Sequence, residues 1–197
     1  MVADSKQNIL NVMGIDTHLF EHMSELCSFA IHNPGLYISL AAEGILSNCK
    51  EFNHILRKPS SYCYVDGIGA VVAIRSLHGV KAKKLPGCEL WLDILEKTSG
   101  SSVAMIGSTP DVLTDACTKV SQEYDCNIVY QQHGYFENEE LILSELSIAK
   151  PQFIFLALGQ PKQEILGDKI RELLPQSSVF GVGGSFDVYC GKSKRAP

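Results

Sequence analysis

At 197 residues with 45% hydrophobic side chains, the chain has the length of one domain and can bury a full core without disulfides or metals. A formal net charge of -5 and a pI of about 5.7 exclude a general nucleic-acid binder, so any anion must be gripped locally by a few cations and backbone N–H groups. Seven scattered cysteines without a C-x-x-C pair read as reduced thiols of a cytosolic-type compartment.

Taken in chain order, "MVADSKQNIL" lacks a basic stretch leading into an apolar run, so no secretory signal is expected. The first 35 residues are expected to supply a strand around "NILNVMG" and a helix over 17–31. Strand 36–40 and helix 42–56 follow, then strand 61–65 and helix 68–79, and a further helix after Pro86-Gly87. Next come strand 102–107, helix 110–124, strand 127–132, helix 138–149, strand 153–159, helix 161–174 and strand 178–184. No run approaches the ~18 apolar residues of a membrane span. The strands are continuous apolar runs, as expected where helices cover both faces of a sheet. The pattern predicts an α/β fold: a Rossmann-like, mostly parallel sheet flanked by helices, in one domain over 1–197.

Ligands of such sheets bind beyond the carboxyl ends of the strands. Those ends carry "SLAAEG", "VDGIGA", "IGSTPD", "QHGYFEN", "LGQPKQE" and "GVGGSFD". Asp66 directly follows a strand. It is either an N-cap for the next helix or a carboxylate aimed at a ligand. The glycines after it are no dinucleotide fingerprint, because Val72 stands at the third glycine place. Lys81, Lys83 and Lys84 before Pro86-Gly87 are either a solvated face or a phosphate clamp at a helix entrance. Ser108 or Thr109 is expected to cap a helix that begins at Pro110, beside Gly107. His133 is a weak candidate base, and Tyr135 and Phe136 are either core lids or ring platforms.

In "GQPKQE", Pro161 suits the start of a helix and Glu164 its first turn. Lys162 does not, because a cation at the positive end of a helix is unfavourable without an anion. Gln163 offers a donor and an acceptor for hydroxyl or phosphate oxygens. This set, next to Gly159, points to a bound anion. Gly183, Gly184 and Asp187 in "GVGGSFD" suit a tight loop lining the same site.

"VDGIGAVVA", "LPGCELW", "GSTP", "HGYF", "LGQPKQE" and "GVGGSFDVYCGKSKRAP", in that order, resemble the WecG/TagA/CpsF glycosyltransferase family over roughly 36–197. The resemblance implies an inverting, metal-independent transfer from a UDP-sugar to a polyprenyl-diphosphate-linked N-acetylglucosamine. The sugar is typically N-acetylmannosamine or its uronic acid. The work is done at the cytoplasmic face of the membrane, by peripheral contact, with no nucleic acid involved, and a homo-oligomer is allowed.

Asp66 matches the family's proposed base. Ser39 falls where the family has a threonine, and Ala41 where it has an asparagine. Lys84 replaces an arginine, keeping the charge without the bidentate geometry. Gln163 and Arg195 match the glutamine of "PKQE" and the arginine of "RAP". The loop residues Gly67, Gly107, Tyr135, Gly159, Lys162, Gly183, Gly184 and Asp187 join them as expected substrate contacts. The family continues past "RAP" with a basic, aromatic-rich appendage, which is expected to be missing here. No D-x-D pair is present to hold a divalent ion, and no cofactor is expected. Two other classes stay open: a UDP-sugar-binding module with weakened catalysis, and a nucleotide-cofactor oxidoreductase.

Overall fold

The computed structural model describes residues 8–194. It opens with a hairpin, β1 (Asn8–Val12) and β2 (Ile15–Leu19), where the sequence suggests a strand followed by a helix from residue 17. Met13 and Gly14 form the loop with φ of 53° and 85°, the left-handed backbone that two-residue hairpin loops need. The Asn11 side chain accepts from the Gly14 N–H at 2.9 Å and donates to Asp16 at 2.8 Å, which holds the turn. Ile15 and Thr17 turn inward on either side of exposed Asp16, a period-two pattern that strand pairing satisfies and a helix would not. Helix α1 (Met23–His32) therefore starts later than the composition suggests.

Strand β3 (Leu36–Leu40) is followed by two short helices, α2 (Ala42–Ile45) and α3 (Lys50–Ile55), instead of one. The break lies at Ser47. Its hydroxyl accepts from the Cys49 N–H, and its carbonyl is taken by the Asn53 side chain, so local polar bonds displace the helical ladder. Strand β4 (Ser61–Val65) leads to α4 (Ile68–His78), closed by Gly79 at φ 68°. An extended segment then reaches α5 (Gly87–Lys97).

The rest follows the predicted order: β5 (Ser101–Gly107), α6 (Pro110–Glu123), β6 (Cys126–Gln132), α7 (Glu139–Ala149), β7 (Phe153–Ala157), α8 (Lys162–Leu173) and β8 (Ser178–Gly181). A short α9 (Ser185–Tyr189), which sequence periodicity does not show, takes up part of the expected final loop. Pro161 is the cap residue of α8 after a cis peptide bond, not its first helical residue.

Among the described residues the strands form one sheet in the order β1-β2-β4-β3-β8-β7-β5-β6, parallel except for the β1–β2 pair. Alternate residues feed opposite cores. Phe153, Phe155, Val103 and Met105 join Trp91 and Phe186 on one face, while Ile154, Leu156, Ala104 and Ile106 join Leu166 and Ile170 on the other. This double burial, worth about 1.5–3 kcal/mol for each large side chain, is why the strands read as unbroken apolar runs. Neighbouring β3 and β8 send the chain in opposite directions, after β3 toward β4 and after β8 into α9, which packs on α6. A crevice opens at their carboxyl ends.

Candidate active site

A cavity of about 530 Å³ occupies that crevice. Ser39, Asp66, Lys84, Gly87, Gln160, Gln163, Gly183, Gly184 and Asp187 line it, together with Cys88, Ser185 and Lys194. A second hollow of about 690 Å³, between α6 and β6, is larger but lined by no charged side chain. No cation lines it to offset an anionic ligand.

Asp66 sits where β4 ends. The N–H groups of Asp66 and Gly67 both donate to the Leu40 carbonyl at 3.3 Å, fastening the ends of β4 and β3 together. The N-cap of α4 is Gly67, which has no side chain to cap with. Asp66 Oδ2 accepts the Gly87 N–H at 3.1 Å, at the first turn of α5. Such a terminus offers unpaired donors and the positive end of the helix dipole.

Gly87 is needed there. A Cβ on it would lie 2.7 Å from the Tyr64 hydroxyl, 3.4 Å from Asp66 Oδ2 and 3.5 Å from Ser39 Cβ. One backbone point thus gathers Ser39, Tyr64 and Asp66. Burial first, then the nearby Asp66 charge, pushes the Tyr64 phenol well above its ordinary range. Tyr64 stays protonated and does not compete with Asp66 as a base.

Beneath the opposite wall lies a buried polar network. Glu164 is fully buried, and its Oε1 accepts from Gln160 Nε2 at 3.1 Å and from Gln163 Nε2 at 2.9 Å. Gln160 also donates to the Ser39 carbonyl at 3.1 Å, and Gln163 Oε1 accepts the Gly183 N–H at 3.0 Å. The network therefore ties α8 to the ends of β3 and β8. Gly181 makes room for it, since a Cβ there would meet Gln163 Nε2 at 2.5 Å. Burial raises the Glu164 carboxyl, opposed by the bonds from Gln163 and Gln160, and its Oε2 has no hydrogen-bond partner.

Sequence reasoning takes Glu164 for an ordinary first-turn acid and misses Gln160 altogether. The signal was present: Gln163, Leu166, Gly167 and Ile170 mark the buried stripe of α8 at helical spacing, and Glu164 stands beside it. Because Gln163 is itself buried and doubly bonded, truncating it would disturb the wall as well as any ligand contact.

Lys162 also differs from its sequence reading. Its Nζ donates to the Gly134 carbonyl at 3.0 Å and lies 4.5 Å from the centre of the Phe136 ring. These partners stabilise a cation at the start of α8, and Lys162 does not line the cavity.

Thr109 is the cap of α6, while Ser108 donates to Asp187 Oδ2 at 2.8 Å across the rim. Gly107 has a structural duty at φ 137°, because a Cβ would fall 2.2 Å from the Ala157 carbonyl oxygen. Tyr135 is exposed, and its N–H donates to His133 Nδ1 at 3.2 Å. Gly67, Gly107, Tyr135 and Gly159 stand outside the cavity lining. Arg195 lies outside the described residues. Among the described residues no group of three or more His, Cys, Asp or Glu side chains is gathered to hold a metal ion.

A mostly parallel α/β sheet with a polar cavity at its switch point, lined by Asp66, Asp187, Lys84 and Lys194, is the architecture of a ligand-binding α/β enzyme. The chain belongs to the WecG/TagA/CpsF family of glycosyl transferases, whose family model matches residues 8–197. It is thus a glycosyltransferase of cell-surface polysaccharide synthesis, a family that in general takes a sugar-nucleotide donor and a lipid-linked acceptor. No helix among the described residues is long and apolar enough to cross a membrane.

Proposed function

We propose that the cavity binds a UDP-sugar and transfers its sugar, N-acetylmannosamine or a related hexose or uronic acid, to a polyprenyl-diphosphate-linked acceptor such as N-acetylglucosamine. One observation supports this most: Ser39, Asp66, Lys84 and the first turn of α5 meet at one cavity on the strand-end rim.

The acceptor hydroxyl attacks the anomeric carbon from the side opposite UDP. Asp66 takes the hydroxyl proton as the new C–O bond forms. The bond to UDP breaks, its electron pair stays on the departing diphosphate, and the anomeric centre inverts. The first turn of α5 orients Asp66 through the Gly87 N–H, and Lys84 faces the charge that develops on the leaving group. Ser39, beside Asp66, orients the attacking hydroxyl. The donor is a substrate, and no resident cofactor takes part.

Lys84→Ala should weaken UDP binding by ~1.5–3 kcal/mol, the worth of a charged hydrogen bond. Lys84 is exposed, so the melting temperature should hold. Calorimetric titration checks both, and unchanged UDP affinity would move the diphosphate elsewhere. Binding of UDP should also persist in chelator. If affinity disappeared in chelator and returned with magnesium or manganese, the metal-independent reading would fail. Turnover of UDP-sugar in the presence of a polyprenyl-diphosphate acceptor tests the activity itself.

A further inference from the structure

Residues 67–88 contain no acidic side chain, although the chain as a whole carries a net charge of -5. The same stretch holds Arg75, Lys81, Lys83 and Lys84. It also presents four large apolar side chains to solvent: Ile68 at 70% exposure, Val72 at 60%, Leu77 at 56% and Val80 at 39%. Ala70 and Ile74 anchor the inner face of α4 in a small core with Val12, Val65 and Ala82. The outer stripe of α4 thus runs Ile68, Val72, Arg75, Ser76, at helical spacing, and no described element covers it.

Both ends of the stretch are fixed to the cavity. It begins one residue after Asp66, and Gly87 near its end donates to the Asp66 carboxylate. The return segment is pinned by the Leu85 N–H on the Val65 carbonyl at 2.7 Å. Lys83 lies 3.5 Å from Glu21, with both side chains exposed, a pair of little strength in water.

We infer that α4 and the segment to Lys84 form a docking surface for an anionic lipid bilayer, which brings the cavity mouth to the membrane. The inference rests on the proposed lipid-linked acceptor. A helix with exposed aliphatic residues flanked by cations lies in the plane of the lipid interface, apolar side chains down and cations among the headgroups. A second copy of the chain fits poorly, since a two-fold contact would set this acid-free cationic stretch against itself. Nucleic acid fits poorly too, because residues 67–88 contain no Phe, Tyr or Trp as a stacking platform for successive bases.

The test is co-sedimentation of the 197-residue chain with vesicles of phosphatidylcholine, alone or mixed with phosphatidylglycerol, with UDP titrated in parallel. The chain should bind the mixed vesicles, less so as salt rises, and the neutral ones far more weakly. Val72→Glu combined with Lys81→Glu should weaken vesicle binding on the order of tenfold or more while UDP affinity and melting stay unchanged. Val72→Leu should bind vesicles like the parent.

Failure of the parent to bind mixed vesicles, or equal binding by the double variant, overturns the surface. So does a dimer in ultracentrifugation that Val72→Glu dissociates. UDP binding without vesicle binding would reject this surface and leave the proposed transfer standing. Vesicle binding without UDP binding would reject the donor site instead.

Discussion

Asp66→Asn should slow sugar transfer by ~10²–10⁴-fold while UDP-sugar binding stays close to that of the parent. The amide oxygen of asparagine can still accept the Gly87 N–H that Asp66 Oδ2 accepts at 3.1 Å, so the β4–α5 junction should survive. What it cannot do is take a proton from the attacking hydroxyl. A purely structural Asp66 predicts the reverse, near-normal transfer as long as that bond is made. Single-turnover transfer to a polyprenyl-diphosphate acceptor, with donor affinity measured on the same preparation, separates the two. Parent-like turnover in the Asn variant would remove Asp66 as the base and leave Ser39, the hydroxyl beside it in the cavity.

Glu164→Ala should be the most damaging substitution for the wall of the site. It leaves the amides of Gln160 and Gln163 without the acceptor they share at 3.1 and 2.9 Å, and opens a cavity under β8. The expected loss is about 2–4 kcal/mol of stability, read from denaturant unfolding, with weaker UDP binding as the two amides lose their orientation.

Glu164→Gln keeps an acceptor for both amides and should bind UDP like the parent. It also gives a pH signature. Burial raises the folded carboxyl above its ordinary 4.5, so the folded state holds the proton more tightly than the unfolded chain. The stability this group contributes is full below the unfolded value and is lost as pH rises through the higher folded value. The parent should therefore lose stability relative to Glu164→Gln as pH climbs from about 4 toward neutrality. A difference that is flat with pH would mean that Glu164 is not titrating against its burial.

The α/β class and most of the sheet were legible because doubly covered strands leave continuous apolar runs, as in β5 and β7. The amino-terminal hairpin was not. Its turn is Met13-Gly14 rather than an Asn-Gly or Asp-Gly pair, and β2 is one short strand whose pairing with β4 is set by tertiary contact. Asp66, Ser39 and Lys84 could be placed on the rim because each stands at or just past a strand end or before a turn signal.

The bond between Asp66 and Gly87 could not be read, because the two residues stand 21 apart in sequence. The Glu164 network had the same difficulty, since it depends on Gly181 and Gly183 coming over from a different strand end. The contacts of Lys162 with the Gly134 carbonyl and the Phe136 ring could not be read either, because both lie more than a helix away in sequence. Local pattern gave the elements and their order. Cross-chain bonds set the details of the site.

On the proposed transfer, the donor nucleotide sits at the carboxyl ends of β3, β4 and β8. Hydrogen–deuterium exchange with and without UDP locates it and needs neither acceptor nor turnover. Amides from Ser39 to Gly44, from Asp66 to Ile68, from Lys84 to Leu90 and from Gly181 to Val188 should gain protection. Those around the uncharged hollow at Thr118–Gln122 and Ile128–Gln131 should not change. Protection confined to that hollow, or no protection anywhere at saturating UDP, would place the donor outside this crevice.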